Sequence, residues 1–62
     1  MKYYGVTTKF YDDGKIKAEM FEVEADKMPV VDYQETNACD IWRDYFTTYA
    51  EAESFLKEML NL

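Results

Sequence analysis

The chain has 62 residues, thirteen acidic side chains against seven basic ones, eleven aromatic rings, one cysteine and no histidine. A chain this short is a single domain that buries only about 60% of the surface its unfolded form exposes. It has no staple: Cys39 stands alone, which excludes an internal disulfide, and a zinc site lacks imidazole ligands. Stability therefore rests on the large rings, and homodimerisation is a second way to bury them.

The charge is unevenly distributed. Residues 1–18 hold four lysines against two aspartates, a net +2, whereas residues 19–62 hold three cations against eleven acids, a net −8. That surface disfavours direct nucleic-acid binding or an anionic membrane and favours a protein partner, a basic one above all. No apolar run is long enough for a signal peptide or a membrane span, and a lone free cysteine suits a reducing interior, so the expected location is cytoplasmic.

The first half predicts a β-hairpin. Lys2–Tyr11 and Lys15–Ala25 are rich in β-formers and flank the turn signal Asp12-Asp13-Gly14. A two-residue loop would mix polar and apolar residues on both faces. A three-residue loop, with Gly14 in the left-handed region, pairs Phe10 with Ile16, Thr8 with Ala18 and Val6 with Met20, which gives one apolar face. Beyond Met20 the apolar phase changes from even positions (Ile16, Ala18, Met20) to odd ones (Phe21, Val23, Ala25). This favours a β-bulge or sharp twist near Met20–Phe21, which would turn Glu22, Glu24 and Asp26 outward together. The rival is a regular ladder in which Phe21 lies across Gly5.

Asp26–Asn37 is the least legible segment. Pro29 disfavours a central strand, and Val30–Gln34 is at most a short edge strand. Ala38–Phe46 reads as a strand, apolar on both faces. The end of the chain predicts a helix from Tyr49 to Leu60. Thr48 and Glu51 form a capping box in which the Glu51 carboxylate reaches back to the Thr48 amide. Tyr49, Ala52, Phe55, Leu56, Met59 and Leu60 form one apolar stripe, and Glu53 and Lys57 make an i,i+4 pair.

Together these give an α+β fold: an antiparallel sheet of three strands, or four if residues 30–34 pair, with the hairpin first and one C-terminal helix on one face. The expected core is Tyr4, Val6, Phe10, Ile16, Ala18, Met20, Ile41, Tyr45, Ala52, Phe55, Leu56, Met59 and Leu60.

Little catalytic chemistry is available. Cys39 has no histidine base, and the adjacent Asp40 charge would raise its thiol pKa; a small buried strand residue is the simpler reading. Ser54, the only serine, likewise has no base. Asp40 and Asp44 share a strand face about 13 Å apart, too far for either glycosidase arrangement. Asp12 and Asp13 belong to their turn. A calcium loop centred on Gly14 would put Lys9, Tyr11 and Met20 where oxygen ligands belong, and the two glycines, Gly5 and Gly14, make no phosphate loop. No catalytic, metal or cofactor residues are assigned.

What remains is a surface. Glu22, Glu24 and Asp26, with Asp40 and Asp44, are the candidate partner-binding acids. Tyr3, Tyr11 and Phe21, on the second face of the hairpin, are the candidate aromatic interface. These residues suit a non-enzymatic protein-binding or inhibitory module. Two further readings are a nucleic-acid mimic that occludes a basic groove, and a homodimer built on the aromatic face. The plain alternative is that the acids are solvated faces that keep a small protein soluble.

The run Tyr3-Tyr4-Gly5-Val6-Thr7-Thr8, the turn Tyr11-Asp12-Asp13-Gly14-Lys15, the strand Asp40-Ile41-Trp42-Arg43-Asp44-Tyr45-Phe46 and the helix start Glu51-Ala52-Glu53-x-Phe55 resemble a group of short hypothetical bacterial proteins carried by phages and other mobile elements. The resemblance spans nearly the whole chain. No activity is assigned to that group, so it implies no residue roles. It implies only a genetic setting in which small acidic proteins include inhibitors of host-defence enzymes.

Overall fold

The computed structural model describes all 62 residues. The elements in chain order are β1 (Lys2–Tyr11), β2 (Ile16–Glu24), β3 (Asp32–Glu35), β4 (Cys39–Phe46) and α1 (Tyr49–Leu60). The four strands form one antiparallel sheet in the order β2-β1-β4-β3. The fold is α+β, and the short edge strand pairs as the fourth.

The hairpin loop follows its residues. The Gly14 amide donates to the Tyr11 carbonyl at 3.0 Å and the Tyr11 amide to Lys15 at 2.9 Å, closing the three-residue loop. Gly14 has φ +90°, a conformation that costs glycine little. Phe10 then pairs with Ile16, Thr8 with Ala18 and Val6 with Met20, as the apolar pattern requires.

The expected bulge near Met20–Phe21 is absent. The ladder continues through Gly5–Phe21 and Tyr3–Val23 to Lys2–Glu24 without an extra residue. Phe21 instead lies over Gly5, where a Cβ would come within 2.3 Å of the ring's Cζ. The change of apolar phase marks a strand that changes which face it packs, with no change in register. Phe21 also meets Tyr45 edge-on, ring centroids 5.7 Å apart, so two rings close over the glycine.

Thr36 builds the β3–β4 turn. Its hydroxyl accepts from the Cys39 amide at 3.1 Å, and its own amide donates to the Cys39 carbonyl at 2.9 Å. The Asp12 amide reaches the Ala38 carbonyl at 3.3 Å, joining the two hairpin turns at one end of the sheet.

Thr48 caps α1 from an extended conformation and accepts from the Glu51 amide at 3.2 Å. The Glu51 carboxylate does not take the Thr48 amide as expected. It accepts instead from the hydroxyls of Thr48 (2.9 Å) and Thr47 (3.1 Å). The helix packs chiefly on β1 and β2 and touches β4 less. Tyr4 meets Tyr49 edge-on at 5.8 Å, and Phe46 meets Phe55 at 5.3 Å.

Strand pairing therefore sets the faces. Val6, Thr8 and Phe10 share the helix side with Asp44, Trp42 and Asp40, their partners on β4. Ile41 and Tyr45, expected in the core, pair with Lys9 and Gly5 and lie on the opposite face. Phe46 and Trp42 hold the helix-side positions instead. A strand apolar on both faces gives periodicity nothing to choose with. Leu60, also expected in the core, is exposed at the end of α1. Of the expected core only Val6 and Ala52 are fully buried, because one helix cannot enclose a four-stranded sheet.

Candidate functional site

The helix covers one half of its sheet face and leaves the other open. The strip over β4 and β3 carries Trp42 and Tyr33, directly paired across the strands, with Asp40 opposite Glu35 alongside. The Tyr33 and Trp42 rings lie 4.5 Å apart, and Trp42 remains 39% exposed. The Tyr33 hydroxyl donates to Asp40 Oδ1 at 3.1 Å. Partial desolvation, then the Asp40 acceptor and the nearby Glu35 charge, hold the Tyr33 phenol above its ordinary pKa of 10.0.

Between this strip and the helix runs a groove of about 260 Å³, lined by Thr8, Phe10, Trp42, Asp44, Phe55 and Met59. Thr8 is 1% exposed, and its Oγ1 has no hydrogen-bond partner. Such a group costs about 1–3 kcal/mol when left unmatched. Asp44 has no ion-pair partner, and burial raises its carboxyl pKa above the ordinary carboxylate value. Aromatic walls and an unpaired carboxylate thus meet in one depression.

The sequence-derived residues are dispersed differently. Glu22 and Glu24 share the helix-side face of β2, but Lys2 Nζ lies 3.5 Å from Glu22 and the N-terminal amine 3.7 Å from Glu24. Asp26 lies beyond the end of β2, in the connection to β3, so the three do not form one strand row. Asp40 and Asp44 do share a face, on the far side of β1 from Glu22 and Glu24. The five acids therefore form two pairs, with Asp26 apart from both.

Among the aromatic candidates, Tyr3 is 6% exposed, with its hydroxyl 3.7 Å from Met1 Sδ, so it offers no contact area. Tyr11 and Phe21 are half-buried, and Lys17 Nζ lies 5.6 Å from the centre of the Tyr11 ring. Cys39 is buried beside Thr36, its Sγ 3.5 Å from the Thr36 hydroxyl. No three carboxylates or thiols converge on a point where they could hold a metal ion, and no helix is long and apolar enough to cross a membrane.

Sequence reasoning singled out none of Trp42, Tyr33, Thr8 and Glu35 as site residues. The signal was present: Tyr33, Glu35, Asp40, Trp42 and Asp44 occupy alternating positions on two strands. Only the β3–β4 register places them on one face.

Comparisons with family models, with curated proteins and with solved structures return no match to this chain.

Proposed function

We propose that this protein is a small non-enzymatic binding module that engages a basic protein partner through the open half of its helix-side face. The observation that carries this reading is the Tyr33–Trp42 pair, left uncovered by the helix and bordered by Asp40, Glu35 and Asp44. Tyr and Trp at the centre of a patch supply large rigid contact area, and an acidic border steers a basic partner. Inhibition of the partner by occlusion is the simplest consequence of such binding. The groups on β2 support nucleic-acid mimicry less well, because Glu22 and Glu24 lie beside cations of their own chain.

Affinity capture from the native host tests the reading when wild type is compared with two variant baits. Trp42→Ala with Asp40→Lys should lose the bound protein, whereas Glu22→Lys with Glu24→Lys should retain it. Loss with the second bait and retention with the first would move the interface to β2. Capture that is independent of both would remove the acidic and aromatic surface from the account.

A further inference from the structure

Resting on that reading, we infer that the groove beside Trp42 seats one arginine side chain of the partner, its stem between Phe55, Met59 and Trp42 and its guanidinium at Asp44.

Several independent features of the groove select this occupant. Its walls are apolar and aromatic, yet an acid stands in it: Asp44 occupies a helix-side position opposite Val6, flanked by Trp42 and the helix residues Phe55 and Met59. An anionic or neutral ligand would leave that carboxylate uncompensated, at a cost that burial increases. A cation on an apolar stem satisfies both the walls and the acid.

Thr8 closes the floor of the groove and is itself buried, so polar recognition there falls to Asp44. Guanidinium carries five donors in a planar fork, stacks on aromatic faces and loses hydration more readily than an ammonium. The exposed face of Trp42 offers that stack, continued outward by Tyr33 at 4.5 Å. Asp40 and Glu35 extend the negative border along the same side of the sheet.

Two other places fit less well. The hollow between Thr7, Lys9, Lys17 and Glu19, on the opposite face, measures about 30 Å³ and has cations facing each other across the strands. The Phe21–Tyr45 pair closes over Gly5, so those rings already have their partner surface.

The test titrates the folded protein with a blocked pentapeptide, acetyl-Gly-Ser-Arg-Ser-Gly-amide, beside versions carrying citrulline or lysine. Binding is read from the amide resonances of Thr8 and Asp44 and from the indole resonance of Trp42, the only tryptophan. The arginine peptide should shift these signals saturably. Citrulline, which keeps the shape and loses the charge, should bind about tenfold or more weakly. Asp44→Asn should weaken the arginine peptide to a similar extent without changing the spectrum elsewhere, and Glu22→Gln should leave binding intact. Equal shifts from citrulline, equal binding of lysine, or shifts clustered away from the groove would overturn the assignment. A captured partner that depends on Trp42 but not on Asp44 would overturn it too, while leaving the proposed binding face in place.

Discussion

One face of this sheet behaves as two different surfaces. Over β1 and β2 the helix leaves Val6 and Ala52 with no exposure, and Tyr4 meets Tyr49 and Phe46 meets Phe55 between sheet and helix. Over β4 and β3 the same face carries Trp42, Tyr33, Asp40 and Glu35 with nothing on top. The sealed half is where burial stabilises the fold. The open half retains apolar area and unpaired charge that folding alone does not need. In a protein of principal extents 37 × 22 × 12 Å, the boundary between the sealed and the open half falls along a single groove.

The largest contrast should come from truncation in each half. Val6→Ala, at a site with no exposure, should cost about 2–3 kcal/mol, whereas Tyr33→Ala should cost about 0.5–1 kcal/mol. Urea unfolding of both variants checks this, and equal losses would mean the open half is as structural as the sealed one.

Gly5→Ala probes the opposite face. The new methyl would sit where the Phe21 ring lies, so a loss of about 1–3 kcal/mol is expected. Gly5→Ala combined with Phe21→Ala should cost clearly less than the sum of the two single changes, because removing the ring removes the clash. Additive losses would show that the ring does not rest on the glycine.

Thr8→Val replaces the unmatched hydroxyl with a methyl of similar shape and should stabilise the protein by about 1 kcal/mol. A destabilising result would mean that the hydroxyl has a partner in solution.

The smallest effect concerns Asp44. Its folded-state pKa lies above the unfolded value, so the folded protein holds the proton where the unfolded chain has lost it. Asp44's own contribution to stability is therefore greatest below the ordinary carboxylate value of 3.8 and is lost as pH rises through the raised one. Asp44→Asn should raise Tm slightly at neutral pH and leave it unchanged at about pH 3, as thermal melts at the two pH values would show. The same substitution should weaken arginine binding, so stability and recognition would move in opposite directions at one residue.

Local chemistry was legible where one residue type dictates one geometry. Gly14 after two aspartates gave the loop and the strand register, and Thr48 with Glu51 gave the helix start. The stripe from Ala52 to Met59 gave the helix face. Reading failed where both sides of a strand are apolar. The change of apolar phase at Phe21 and Val23 suggested a bulge, whereas β2 keeps its register and carries apolar residues on both faces, with Phe21 over Gly5. Ile41 and Tyr45 looked like core for the same reason that Trp42 and Phe46 did not stand out. The acids of β2 looked like a free row because the cations beside them, Lys2 and the N-terminal amine, lie across a strand pairing.

The sequence by itself determined the acidic balance, the hairpin and its loop, the capped helix and the α+β class, because turn, cap and periodicity signals act over a few neighbouring residues. Tertiary structure alone decided which acids stand together and which rings remain exposed. Those outcomes depend on β4 inserting between β1 and β3 and on one helix being wide enough to cover only half of the face.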